Sequence, residues 1–318
     1  MRRSVQDIRK RLLAWLDANK RDLPWRRAEA AGTGANDPYR ILVSEIMLQQ
    51  TRVAAVIPYF ERFLKRFPTA AALARARETS VLRAWAGLGY YSRARNLQAA
   101  AKEIARNGFP ATYQAALGLP GVGPYTAAAV MSIACGQPHA AVDGNVKRVL
   151  ARLLADNEAG QQAADTLLDH RRPGDFNQAM MELGEVVCIP RIPRCEVCPV
   201  ARYCQAHRLK QVDRFPARKI KRAQEAVRIR WAHVVRDGAL LLAPPEEAGL
   251  WRGFWTLPAI ELRNPKLTST IRHTVTFRKI TIEVYTGRIT KMPTGFEFVS
   301  PARLKTLPLA TPVRKFLA

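Results

Sequence analysis

The chain has 318 residues, with 51 Lys and Arg against 26 Asp and Glu, a formal net charge of +25. An excess of that size points to a polyanionic partner, and the arginines are spread through folded-looking sequence instead of one polybasic tail. That spread favours a nucleic-acid-binding fold over a membrane-surface or ribosome-associated protein. No apolar run has the length of a transmembrane helix, and the first residues lack the apolar stretch and cleavage site of a secretion signal. The expected location is cytoplasmic, with no membrane partner. The N-terminal arginines would suit a transit peptide, but Asp7 and Asp17 argue against one.

Val5, Ile8, Leu12, Trp15 and Leu16 are spaced for an amphipathic first helix. From there to about residue 207 the Ala- and Leu-rich sequence keeps a period near 3.6. It predicts helices over Tyr39–Leu48, Val53–Phe67, Thr79–Trp85, Ser92–Asn107, Thr126–Cys135 and Asn145–Leu154. Residues 208–226 are basic and poor in apolar periodicity, as a linker is. From 227 to 318 the texture changes to alternating, β-branched runs, with Asp237-Gly238 as a hairpin turn. The fold class expected is mainly α, a helical domain over 1–207 followed by a small α+β domain over 227–318. No internal repeat is present.

Four of the five cysteines, Cys188, Cys195, Cys198 and Cys204, form the pattern C-x6-C-x2-C-x5-C, and Cys135 stands alone. Without a secretion signal this reads as metal ligation in a reducing compartment. Spacing leaves tetrahedral zinc and an iron–sulfur cluster both open, although zinc sites more often come as two CxxC pairs. His207 reads as an exposed linker residue and not as a fifth ligand. A metal centre here would pin a loop carrying Arg191, Arg194 and Arg202 against a nucleic-acid backbone.

In LPGVGPYTAAAV (Leu119 to Val130), Gly121 and Gly123 permit a tight turn between two helices. The second helix then offers free backbone N–H groups and its positive dipole end to a phosphate. Asp143, in VDGNV, stands where a helix N-cap would, and capping does not exclude a catalytic role. Asn145 follows in the first turn. Glu45 shares a helical face with Ile41, Leu42 and Leu48. A carboxylate on an apolar face costs free energy as an anion, so its pKa rises and it can serve as a general acid. The alternative is a glutamate paired with Arg40 or Arg52.

These segments resemble the helix-hairpin-helix base-excision glycosylases and, within them, the adenine DNA glycosylase (MutY) family. The resemblance runs in family order through LPWR, SEIMLQQTRVAAVIPYFERFLKRFP, GLGYYSRARNL, LPGVGPYTAAAV, VDGNVKRVLARL, FNQAMMELGEVVC and the cysteine loop. It implies a two-lobed all-helical glycosylase domain with a 4Fe-4S cluster, zinc being the lesser alternative, on Cys188, Cys195, Cys198 and Cys204. Glu45 would protonate the adenine imidazole ring, and Asp143 would stabilise an oxocarbenium-like sugar. Tyr125 and Asn145 would support the sugar and the two acids. Gln49, Gln50 and Thr51 would meet the DNA, and Gln50 with Tyr90 would fill the gap left by the extruded nucleotide. Trp25, Arg26, Leu48 and Glu182 would line the adenine pocket. Relatives resembling endonuclease III carry a lysine nucleophile where Tyr125 stands, so this chain is expected to leave an abasic site with little strand cutting.

AGLWRGFWTLP (Ala248 to Pro258) resembles the family's Nudix-like C-terminal domain, which recognises 8-oxoguanine. Only fourteen residues separate Pro258 from His273, too few for the helix usual between them, so this domain is shortened. It lacks a Nudix hydrolase box, so pyrophosphatase activity is not expected. The family's Phe-Ser-His triplet corresponds to Val275, Thr276 and Phe277. Thr276 keeps a hydroxyl for the oxidised guanine, but Phe277 loses the imidazole. The resemblance thus implies a monomeric, monofunctional glycosylase acting on duplex DNA that carries A:8-oxoguanine or A:G. A same-fold T:G glycosylase and a non-cutting DNA-binding protein are the alternatives, and retention of both Glu45 and Asp143 speaks against the second.

Overall fold

A computed structural model describes residues 2–27, 37–217, 223–275 and 277–317. The helices in chain order are α1 (Arg2–Asn19), α2 (Pro38–Leu48), α3 (Val53–Arg66), α4 (Ala70–Arg75), α5 (Glu78–Trp85), α6 (Ser92–Asn107) and α7 (Tyr113–Leu117). They continue as α8 (Pro124–Cys135), α9 (Gly144–Leu154), α10 (Gln161–Leu167), α11 (Pro173–Val186) and α12 (Gln205–Arg208). Strands β1 (Glu225–Ala232), β2 (Val235–Arg236), β3 (Ala239–Leu242), β4 (Leu262–Val275), β5 (Arg278–Ile289) and β6 (Glu297–Val299) follow, then α13 (Pro301–Leu304) and α14 (Thr311–Leu317).

The chain divides into two compact units, Met1–Ala76 with Tyr90–Lys219, and Arg77–Gly89 with Ile220–Ala318. The first is helical. One apolar cluster joins Ile8, Leu12 and Leu16 of α1 to Val146, Val149 and Leu150 of α9 and to Phe176, Met180 and Leu183 of α11. The period of 3.6 puts each trio on one face, and burying those faces together offsets the entropy of ordering the helices. Helix α8 packs against both α2 and α11. Ala127, Ala128 and Ala129 are buried in it, and side chains that small let neighbouring helices approach closely.

The second unit carries two three-stranded sheets, ordered β1-β5-β4 and β2-β3-β6. β1 runs parallel to β5, while β4 pairs antiparallel with it from Val275↔Arg278 to Leu262↔Ile289. Ile271, Ile280, Ile282 and Val284 supply the buried face of the first sheet. Asp237 and Gly238 have φ of 49° and 75° and close the β2–β3 hairpin, as the primed turn expected of Asp-Gly does. The stretch between Pro258 and His273 is occupied by β4, with no helix among its residues. The chain is therefore mainly helical with a smaller sheet-containing part. Among the described residues no helix is long and apolar enough to cross a membrane.

Candidate active site

Helix α2 is started by Asp37, whose side chain accepts from Tyr39 N at 2.9 Å, with Pro38 in the first turn. Those two signals fix where the helix begins, and its buried residues include Ile41, Leu42 and Glu45. Glu45 is 6% exposed, and its Oε2 has no hydrogen-bond partner. Burial pushes its carboxyl up to about 7; the neighbouring Asp143 adds to the rise, while the Tyr125 hydroxyl and Arg26 oppose it. Arg40, one candidate partner from the sequence, instead donates to Pro24 O at 3.2 Å and lies over the Phe60 ring.

Asp143 is the N-cap of α9 and accepts from Val146 N at 2.7 Å. Its other oxygen accepts from Asn145 Nδ2 at 3.2 Å. Burial raises the Asp143 carboxyl, and the amides of Val146 and Asn145 with the charge of Arg148 oppose that rise. Capping and an exposed face toward the cavity therefore coexist in one side chain. Arg148, one turn along α9, donates to Asn145 Oδ1 at 2.8 Å, to Gly184 O at 2.7 Å and to Cys188 O at 2.8 Å. It anchors the amide that orients Asp143 and ties α9 to α11 and the cysteine loop.

One cavity is lined by Glu45, Asp143, Tyr125 and Asn145 together with Trp25, Arg26, Leu48, Gln49, Gln50, Thr51 and Glu182. Eleven side chains expected at the site thus meet in one place. Trp25 is buried and packs edge-on against Phe60, with ring centroids 5.3 Å apart. Glu182 is 1% exposed and is held by Arg21, through both carboxylate oxygens, and by Arg26 at 3.0 Å. Burial works against its charge, but the two guanidinium groups win and lower its pKa. The Tyr125 hydroxyl sits 3.5 Å from Met181 Sδ, and burial raises its pKa so that it stays a neutral phenol.

Three expected residues do not line that cavity. Tyr90 lies at its own exposed position, 39% accessible, with φ of 47°. Gly121 and Gly123 belong to the turn ahead of α8. Gly121 needs its lack of a side chain, with φ of 77° and Asn96 Cβ only 2.6 Å from where a Cβ would stand. Gly123 does not share that need. It is extended (φ −95°, ψ 179°) with open space around a Cβ position, so the expectation that both glycines serve the turn is corrected to Gly121 alone. Gly123 instead caps α8 without a side-chain hydrogen bond, which leaves the helix N-terminus open. Thr276 lies outside the described residues.

Sequence reasoning missed Arg21, Arg148 and Gly184. Arg148 was signalled by its i, i+3 spacing from Asn145. Gly184 was not, because its need arises across helices: a Cβ there would fall 2.8 Å from Asn145 Cβ.

Cys188, Cys195, Cys198 and Cys204 line a second cavity with Arg152 and His207. As free side chains three of these thiols are shifted away from ionisation. Burial pushes Cys198 up to about 12 and raises Cys195 and Cys204. Thiolates there call for a strong local positive charge, as a metal centre supplies. Buried Arg152 contributes one, its Nη1 lying 3.4 Å from Cys188 Sγ. As the side chains stand, no group of three or more His, Cys, Asp or Glu among the described residues is gathered tightly enough for a single ion. Arg191, Arg194 and Arg202 are exposed around this loop.

A sequence profile described as HhH-GPD superfamily base excision DNA repair protein matches residues 43–171. An adenine DNA glycosylase of Schizosaccharomyces pombe is 43% identical over 235 residues, covering 66% of this chain and 51% of the relative. An adenine DNA glycosylase of Buchnera aphidicola is 32% identical over 270 residues, covering 80% of this chain and 75% of the relative. The chain spans about half the length of the eukaryotic curated relatives it matches, from 40% to 51%. Among solved structures, a thermostable thymine-DNA glycosylase aligns with TM-score 0.59 at 27% identity, covering 65% of this chain and 98% of that one.

Proposed function

We propose a function from one premise: the chain belongs to the adenine DNA glycosylase family. It hydrolyses the N-glycosidic bond of adenine mispaired with 8-oxoguanine or G in duplex DNA, acting as a monomer and leaving an abasic site. The observation that carries this reading is the pair of differently provisioned carboxyls in one cavity, a buried Glu45 whose Oε2 has no hydrogen-bond partner and an Asp143 hydrogen-bonded through both oxygens.

Extruded adenine enters the cavity, where Trp25 and Leu48 give apolar walls and Glu182, fixed by Arg21 and Arg26, gives a hydrogen-bond acceptor for the base. Protonated Glu45 transfers its proton to the imidazole ring of the base, so that the electron pair of the breaking C1′–N9 bond leaves on a neutral purine. Positive charge then develops on the sugar, opposite the Asp143 carboxylate. Water adds to C1′ and its proton returns to Glu45, which restores the acid. Tyr125, a neutral phenol, cannot form the covalent imine that a lysine amine forms there, which supports base removal without strand cleavage.

Residues 1–207 serve as the glycosylase domain, 208–226 as the linker and 227–318 as the Nudix-like reader of the opposite base. Val275, Thr276 and Phe277, which correspond to the family's lesion-reading triplet, meet the 8-oxoguanine. Cys188, Cys195, Cys198 and Cys204 would hold a 4Fe-4S cluster, whose chemistry here is structural: it fixes the loop that presents Arg191, Arg194 and Arg202 to the phosphate backbone. Its location in this reading is cytoplasmic, on the nucleoid if the source is bacterial. Likeness to a thymine-DNA glycosylase supports a second reading, thymine release opposite G. Single-turnover base release by the full chain and by Glu45→Gln separates them. Adenine product lost in the variant supports the first reading; thymine product from T:G with no adenine supports the second.

A further inference from the structure

Arg93 is a charged side chain in an improbable place. It is 8% exposed and is the second residue of α6, where the helix dipole disfavours a cation. Burial lowers its pKa to about 10, so it stays charged while costing desolvation free energy. That cost is offset at another helix end. Its Nη1 donates to Ile46 O at 3.1 Å, to Met47 O at 2.9 Å and to Gln49 O, and its Nη2 donates to Thr51 Oγ1 at 3.1 Å. The three carbonyls are orphan acceptors at the C-terminus of α2 and in the turn that follows it.

That turn holds Gln50, which is exposed and has φ of 58°, a strained value for a residue with a side chain. The other exposed residue expected to enter the duplex, Tyr90, has φ of 47°. It too is tied to Arg93. Arg93 N donates to Tyr90 O at 2.9 Å, and the Arg93 guanidinium lies 5.5 Å from the Tyr90 ring centroid. Two strained, outward-facing residues from different parts of the chain are therefore fastened to one buried guanidinium. Strain persists only where surrounding structure over-determines it, and a planar fork with several donors is suited to do so where an ammonium is not.

We infer that Arg93 is the positioning residue of a two-pronged wedge, Gln50 and Tyr90, that opens the duplex and holds the target nucleotide out of the stack. This rests on the glycosylase reading, but it concerns duplex opening and not bond cleavage. Arg93 is not among the residues lining the cavity of Glu45 and Asp143. Its loss should therefore be felt before the chemical step.

The test uses the full chain, with Arg93→Lys and, as a second variant that removes the buried charge, Arg93→Gln. Both are confirmed folded by circular dichroism. Duplex opening is read from the fluorescence of 2-aminopurine placed at the target position, which rises when the base unstacks, and cleavage from single-turnover adenine release. The release substrates are a duplex A:8-oxoguanine pair and an adenine already unpaired opposite an abasic site. Arg93→Lys should reduce the fluorescence rise and slow release from the paired duplex by about tenfold or more, while changing release from the unpaired adenine by less than about threefold. Arg93→Gln, which cannot span the same acceptors, should act in the same direction. Equal slowing on both adenines, or an unchanged fluorescence rise in folded Arg93→Lys, would overturn the inference. Wild type that raises the fluorescence but releases no adenine would overturn the function proposed above and not the wedge.

Discussion

Glu45 and Asp143 line the same cavity, yet they are provisioned in opposite ways. Asp143 accepts from Val146 N at 2.7 Å and from Asn145 Nδ2 at 3.2 Å, whereas Glu45 Oε2 accepts from nothing. Hydrogen bonds to a carboxylate favour its charged form, and burial without them favours the neutral one. One carboxyl is thereby suited to give a proton and the other to stand as an anion beside positive charge.

The rate of base release should fall as pH rises through about 7, because Glu45 must be protonated and burial places its carboxyl there. Well above that value the rate should drop about tenfold per pH unit. Single-turnover rates from pH 5 to 9 check this. A rate independent of pH up to 9 would remove Glu45 as the acid.

The same shift has a stability consequence. The Glu45 carboxyl is raised from 4.5 to about 7, so its contribution is full below pH 4.5 and is lost as pH rises through 7. Glu45→Gln should therefore stabilise the chain at pH 8, by up to about 3 kcal/mol. It should change little at pH 4.5 and should abolish turnover at both. Denaturant unfolding at the two pH values measures the difference.

Asp143→Asn keeps a good N-cap for α9, so stability should change by less than about 1 kcal/mol. Turnover should fall by at least about a hundredfold, since a neutral amide cannot balance charge on the sugar. Duplex binding, measured by fluorescence anisotropy, should survive.

Gly184→Ala should act at a distance. The added methyl would stand 2.8 Å from Asn145 Cβ, displacing the amide that orients Asp143. About 1–3 kcal/mol of stability should be lost, and turnover should drop by roughly tenfold or more with duplex affinity nearly unchanged. Arg148→Gln, which removes the anchor on Asn145 Oδ1, should slow turnover in the same way.

Cys198→Ser should lower the iron content and the visible absorbance near 400 nm together. Thermal stability and duplex affinity should fall as the loop of Arg191, Arg194 and Arg202 loosens. Unchanged iron content and absorbance would exclude Cys198 as a ligand.

The helices were legible because their apolar periodicity is strong and their ends carry local signals. Helix α6 runs over Ser92–Asn107 as its sequence predicts, α2 starts one residue earlier than expected, at Pro38, and α8 two residues earlier, at Pro124. The Asp237-Gly238 hairpin was legible for the same reason, since the turn chemistry sits in two adjacent residues. Glu45 was half legible: its apolar neighbours were visible, but the choice between a lone acid and a partner of Arg40 depended on where Arg40 turned. The inward-facing arginines were scarcely legible, the i, i+3 spacing of Arg148 from Asn145 aside. Arg93, Arg148 and Arg152 belong to a chain with 51 basic residues, and nothing in one dimension separates an arginine facing solvent from one facing carbonyls of another helix. Gly184 was hidden for a related reason, because its partner Asn145 lies thirty-nine positions away and meets it only when α9 and α11 pack.

The central claim is adenine release directed by the opposite base, and single-turnover base release on A:8-oxoguanine, A:G, A:T and T:G duplexes tests it most directly. Adenine should be released from A:8-oxoguanine, more slowly from A:G and not from A:T, with no thymine released from T:G. Iron-replete protein that releases no adenine from any of the duplexes, or that releases thymine from T:G alone, would contradict it.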